Sequence, residues 1–69
     1  MPKLFSSREI IRVLEKNNFI FVSQKGSHVK FFSIKHKEAI VIVPANRKQI
    51  PQGTFSSIVR QSRLSKEDF

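Results

Sequence analysis

The 69-residue sequence contains no cysteine. A disulfide framework and a thiolate metal site are therefore excluded, and the composition suits a reducing cytoplasm. No apolar run approaches the roughly 20 residues that a transmembrane helix needs. The N-terminal residues also lack the apolar core and cleavage site of a signal peptide. We expect one small domain over residues 1–69 that acts in the cytoplasm and makes no contact with a membrane.

Acidic residues are scarce, above all in the middle of the chain. The sequence has 13 Lys and Arg against 5 Asp and Glu, a net charge of +8. Between residues 16 and 66 the one carboxylate is Glu38. Such a chain favours a polyanionic partner, and nucleic acid suits it better than a membrane surface, because no segment joins a long basic face to a long apolar one. A basic protein that is merely soluble is the alternative.

Local signals predict a helix at each end of the chain. Ser6 followed three residues later by Glu9 is a capping box, and apolar residues recur at helical spacing after it, which predicts a helix over 7–16. The pair Asn17-Asn18 should end it. We expect the second helix to open at Gly53-Thr54, with Thr54 as its N-cap.

Three runs rich in β-branched and aromatic residues lie between the helices and predict strands over 19–23, 28–34 and 39–43. Pro44 should stop the third strand. The order α-β-β-β-α predicts an α+β fold, a two-layer sandwich whose three-stranded antiparallel sheet is covered on one face by two helices. Residues 19–22 and 40–43 are apolar on both faces, which indicates either a second hydrophobic surface for a protein partner or ordinary partial exposure.

Gly26 and His28 mark the stretch with the clearest chemical potential. Gly26 lies between the first two predicted strands, where a tight turn needs a glycine. Histidine is the side chain best suited to exchange a proton near neutral pH. By strand alternation His28 and Lys30 share a face, roughly 6–7 Å apart. A plain hairpin with a half-exposed histidine is the alternative reading.

These residues suit chemistry on an RNA phosphodiester. His28 could act as general base toward a ribose 2′-hydroxyl, with Ser27 holding a phosphate oxygen. Cations could stabilise the pentavalent phosphorane, and four are candidates: Lys25, Lys30, Arg47 and Lys48. The acid for the leaving group is unassigned. Arg47 and Lys48 also precede the second helix, whose N-terminus is a candidate phosphate contact. His28 and His36 alone make a poor metal site, and we expect no metal or other cofactor.

The sequence is similar to the HicA family of bacterial toxins, the mRNA interferases of HicA–HicB toxin–antitoxin systems. The most specific match is the Lys25-Gly26-Ser27-His28 turn, with Phe31 three residues on. Further matches lie at residues 40–44 (IVIVP), 50–54 (IPQGT), 57–61 (SIVRQ) and 64–69 (LSKEDF).

The resemblance implies a fold like that of a double-stranded-RNA-binding domain and a catalytic His28. It also implies metal-independent cleavage of mRNA and inhibition by a HicB-like antitoxin that covers the site. From the residues themselves we expect RNA contacts at Lys25, Gly26, Ser27, Lys30, Arg47 and Lys48. Asn46 stands where many members have a histidine, which could weaken activity. Two alternatives stay open: an RNA-binding module of the same fold without chemistry, and a protein whose basic surface docks an acidic partner.

Overall fold

The structure, a computed structural model, describes residues 4–69. Its elements are, in order, α1 (Ser7–Lys16), β1 (Ile20–Lys25), β2 (His28–Ser33), β3 (Ala39–Pro44), α2 (Gln52–Ser62) and a short 3-10 helix (Lys66–Asp68). The predicted α-β-β-β-α order and α+β class are confirmed, whereas the likeness to a double-stranded-RNA-binding domain stays a prediction. Within residues 4–69, no helix combines the length and the apolar character needed to cross a membrane.

Helix α1 begins and ends where the local signals predict. The Glu9 N–H donates to the Ser6 hydroxyl (3.1 Å), and the Ser6 N–H donates to the Glu9 carboxylate (2.9 Å), so both halves of the capping box form. One face of the helix is apolar and buries Ile10 and Leu14 completely. Asn18 follows the helix with a φ of 70°, a left-handed conformation that asparagine tolerates well.

The sheet is antiparallel, with the strand order β1-β2-β3. Burial alternates along β2: Val29, Phe31 and Ser33 are buried, whereas His28 and Lys30 are exposed. The prediction that His28 and Lys30 lie on the same face of β2 is therefore confirmed. The other face packs on the two helices, and we call the uncovered face that carries His28 the open face.

Strand β1 lies later in the chain than the sequence indicates. Phe19 is buried, and its N–H donates to the Leu14 carbonyl (3.0 Å), so it completes the helix end rather than starting the strand. Pairing then continues to Lys25, opposite His28, because the turn contains two residues only. At the far end of β2 pairing stops at Ser33, one residue short of the prediction.

Pro44 belongs to β3 instead of ending the strand before it, and it pairs with His28. Antiparallel residues two apart direct their backbone groups to the same side. The N–H of Ile42 points away from β2 and donates to the Gln61 side chain (3.1 Å). The nitrogen of Pro44 therefore also faces outward, where the sheet loses no hydrogen bond.

Helix α2 begins at Gln52, so the predicted N-cap role of Thr54 is wrong. Pro51 occupies the cap position without a side-chain bond, and its carbonyl accepts the Phe55 N–H (2.9 Å). Thr54 is thus the third residue of the helix and its side chain is free for another role. The buried face of α2 includes Phe55 and Ile58, as its spacing predicts.

Several large apolar side chains of the sheet are exposed. Ile20, Phe21, Val22 and Ile40 are 63%, 59%, 49% and 49% exposed, whereas Val41 is fully buried. The excess of apolar residues predicted for the first and third strands is therefore partly at the surface.

Candidate active site

His28 follows a two-residue hairpin turn, Gly26-Ser27. Gly26 has a φ of +59°, and a Cβ there would meet no atom within 4 Å. Position 26 therefore favours glycine because of its backbone conformation and not because space is lacking. The Gln24 amide nitrogen donates to the Gly26 carbonyl (3.1 Å) across the turn, and His28 is the first residue of β2.

His28 lines a cavity of about 470 Å³ between the ends of β2 and β3 and one side of α2. The wall from the sheet side consists of Ser27, His28, Ile42, Pro44, Ala45 and Arg47. The wall from α2 consists of Thr54, Ser57, Ile58 and Gln61. An imidazole, a guanidinium, three hydroxyl groups and an amide therefore meet in one open cavity. This set can exchange a proton and surround a phosphate with hydrogen-bond donors.

Two predicted cations flank His28 on the open face. Lys25 lies directly opposite His28 in the β1–β2 pairing. Lys30 lies two residues further along β2 and pairs with Ile42, which lines the cavity. Both lysines are exposed. Positive charge therefore surrounds His28 on the sheet as well as at Arg47.

Arg47 reaches the cavity because the β3–α2 connection is fixed to the start of α1. The Arg47 N–H donates to the Ser7 hydroxyl (2.9 Å), and the Ser7 N–H donates to the Arg47 carbonyl (2.9 Å). The same hydroxyl donates to the Pro44 carbonyl. The Ala45 N–H donates to the Ser27 carbonyl (2.7 Å), which joins this connection to the hairpin turn.

The predicted RNA-contacting residues do not all meet in this cavity. Ser27 and Arg47 line it together with His28, and Gly26 shapes the turn beside it. Lys48 lies outside the cavity, in a second groove on the α1 side that Arg47 also lines. Asn46 lines that groove as well.

The sequence analysis did not predict that polar side chains of α2 line the cavity. Thr54, Ser57 and Gln61 occur at spacings of three and four residues, which places them on one helical stripe beside the buried face. That spacing was the available signal. The Gln61 oxygen accepts the Ile42 N–H (3.1 Å) and holds α2 against the outer edge of β3, so the amide nitrogen is the group it can offer a ligand.

The second histidine has a structural environment. The His36 ring stacks on Phe19 with the centroids 5.4 Å apart and the planes at 6°, and its Nε2 lies 3.0 Å from the Asn17 carbonyl oxygen. His36 comes after the last residue of β2, whereas His28 is the first residue of that strand. No cluster of three or more histidine, cysteine or carboxylate side chains occurs in the part of the chain that the structure describes.

The sequence comparisons identify a family for this arrangement. The family model described as the HicA toxin of bacterial toxin–antitoxin systems matches residues 7–64, which include every element from α1 to α2 and the whole cavity wall. No curated protein matches the chain significantly. Because the matched region covers most of the 69 residues, the chain belongs to the HicA family of toxins from toxin–antitoxin systems.

Proposed function

We propose that this toxin is an endoribonuclease that cleaves mRNA and thereby inhibits translation in the cytoplasm, with His28 as its general base and residues 1–69 acting as one domain. The observation that carries the proposal is the cavity in which His28 lies beside Arg47 and the hydroxyl groups of Ser27, Thr54 and Ser57. A proton acceptor, a fixed cation and neutral donors are what transesterification of RNA needs.

In this reaction His28 takes the proton of a ribose 2′-hydroxyl, and the 2′-oxygen attacks the adjacent phosphorus. Arg47, with Lys25 and Lys30 on the open face, stabilises the added negative charge of the phosphorane. The 5′-oxygen then leaves with the bonding electron pair and takes a proton from water or a neighbouring lysine. One product ends in a 2′,3′-cyclic phosphate and the other in a 5′-hydroxyl.

An antitoxin is the partner that the toxin–antitoxin family implies, and we infer that it is HicB-like and covers the open face. Ile20 and Ile40 both flank Phe32 on this face, because each pairs with it across the sheet, and both are about half exposed or more. A protein that buries this apolar row gains the free energy of removing it from water. It also blocks His28, which lies on the same face.

The test is cleavage of a labelled RNA, with a chelator present, by the parent chain, His28→Ala and His36→Ala. His36→Ala is the matched control, because it removes the other histidine while leaving the cavity intact. We expect cleavage by the parent and by His36→Ala, with 2′,3′-cyclic phosphate or 3′-phosphate ends, and none by His28→Ala.

Equal cleavage by all three proteins would exclude His28 as the base. Loss of cleavage on adding the chelator would exclude a metal-independent reaction. RNA binding without cleavage by the parent would favour an RNA-binding module that performs no chemistry. His28→Ala should retain most of the RNA affinity under either reading, because affinity for RNA comes mainly from lysine and arginine.

A further inference from the structure

A second groove lies between α1 and β1, on the helix-covered side of the sheet. It is open and measures about 1190 Å³. Its floor is apolar and its rim carries four cations and one carboxylate: Arg8, Arg12, Arg47, Lys48 and Glu15. We propose that single-stranded RNA leaving the His28 cavity enters this groove and stacks a base on Phe21, a proposal that rests on the proposed RNA-cleaving function.

Phe21 has the position and exposure of a stacking platform. It pairs with Phe31 across the sheet and therefore points to the same side as the core. Its ring meets the buried Phe31 ring edge to face, with the centroids 6.2 Å apart and the planes at 83°. Even so, Phe21 is 59% exposed. The core thus orients this ring while the side chain stays largely exposed to solvent. Such a ring is suited to stacking on a nucleic-acid base.

The α1 side of the groove follows from helical spacing. Arg8, Ile11, Arg12 and Glu15 recur at intervals of three and four residues and all line the groove. Arg8 and Arg12 are exposed, whereas Ile11 is half-buried against the core. The stripe therefore offers two guanidinium groups above an apolar floor, which suits phosphates at the rim and a base below.

The groove and the His28 cavity are adjacent. Ala45 and Arg47 line both of them, so a strand bound at His28 needs only to cross the β3–α2 connection to reach Phe21. The charge of the rim favours a polyanion over a protein segment. The exposed ring favours a single strand over a duplex, because bases in a duplex are already stacked on each other.

The test measures binding of a short, labelled single-stranded RNA that carries 2′-O-methyl groups and so cannot be cleaved. We compare Phe21→Ala with Ile20→Ala, a matched control that truncates the neighbouring apolar side chain, also well exposed but on the open face. We expect Phe21→Ala to weaken binding by on the order of tenfold, with Ile20→Ala and Phe21→Tyr close to the parent. Arg12→Gln should lower the slope of log affinity against log salt by about 0.7.

Equal binding by Phe21→Ala and the parent would overturn the proposal, as would equal affinity of the parent for the single strand and for a duplex of the same sequence. Should Phe21→Ala not fold, an unchanged salt slope for Arg12→Gln would overturn it on its own. Failure of the proposed function gives a different pattern: binding that depends on Phe21 but no cleavage by the parent. Cleavage that depends on His28 with binding independent of Phe21 refutes the groove alone.

Discussion

Replacing Ser7 with alanine should both destabilise the fold and impair the site. Ser7 is 4% exposed, and its hydroxyl bridges the Pro44 carbonyl and the Arg47 N–H. Removing the hydroxyl leaves both groups without this partner. The loss lowers the free energy of unfolding by about 1–3 kcal/mol for each group that water cannot reach. Pro44 is half-buried and Arg47 exposed, so water replaces part of the loss and we expect about 2 kcal/mol in all. In a chain of this size that lowers Tm by roughly 10 °C.

Two other buried serines are matched controls with different expected outcomes. The Ser62 hydroxyl donates to the Val59 carbonyl (2.8 Å) and accepts the Leu64 N–H (3.1 Å), so it makes as many bonds as Ser7, all at the end of α2. Ser62→Ala should cost a similar free energy without moving Arg47. The Ser33 hydroxyl is buried without a hydrogen-bond partner in the described structure. Ser33→Ala should therefore leave the free energy of unfolding unchanged or raise it by up to about 1 kcal/mol.

Urea unfolding measures the three free energies, and RNA cleavage is then compared at a temperature where every variant is folded. Under these conditions Ser7→Ala should cleave more slowly than the parent, because the backbone that carries Arg47 loses both bonds to the Ser7 hydroxyl and keeps only the bond from the N–H of residue 7 to the Arg47 carbonyl. Ser62→Ala and Ser33→Ala should cleave at the parent rate. If Ser62→Ala lost as much activity as Ser7→Ala, Ser7 would serve stability alone. If Ser33→Ala were as destabilised as the other two, lost hydrogen bonds would not explain any of them.

Three further outcomes are expected. Gly26→Ala should lower the free energy of unfolding by about 1 kcal/mol, because an alanine at a φ of +59° is strained, while Gly26→Asn should lose less in the same urea titration. His36→Ala should lower stability by about 1–2 kcal/mol through the lost Phe19 stack and backbone hydrogen bond but leave cleavage unchanged, which thermal unfolding beside the RNA assay can show. Lys30→Gln should weaken RNA binding and reduce its salt dependence, measured by titration at several salt concentrations, whereas His28→Ala should leave that dependence unchanged.

The parts of the fold that depend on neighbours in sequence were predictable. The Ser6–Glu9 capping box fixed the start of α1 because both partners lie within one turn. The alternation along β2 placed His28 and Lys30 correctly because a strand has a period of two. The predicted start of α2 was wrong. Thr54 has the side chain of an N-cap, but Pro51 occupies the cap position and the helix begins at Gln52.

The assembly of the site could not be predicted, since its contacts span the chain. Ser7 contacts Pro44 and Arg47 across 37 and 40 residues, and nothing in the local sequence around Ser7 indicates these partners. The approach of α2 to His28 depends in the same way on the bond from Ile42 to Gln61. The sequence predicted His28 as the candidate base, but tertiary packing selected the residues that surround it.

An irregularity in β1 shows how much of the site depends on one residue. The β1–β2 register shifts between Phe21 and Ser23, so Val22 is an extra residue without a partner. With strict alternation from Ile20 on the open face, Lys25 would point to the helix-covered side. The extra residue reverses the faces of all later positions, so Lys25 pairs with His28 on the open face.

The same reversal turns Gln24 toward the groove, which it lines. Before the bulge, Ile20 faces the open side and Phe21 faces the groove; after it, Lys25 completes the cationic surround of His28. The bulge thus lets a single six-residue strand serve both surfaces, with an aromatic ring on one side and a cation beside the proposed base on the other. A continuous ladder would keep Phe21 in the groove but turn Lys25 to the helix-covered side, and the open face would lose the cation that pairs with His28.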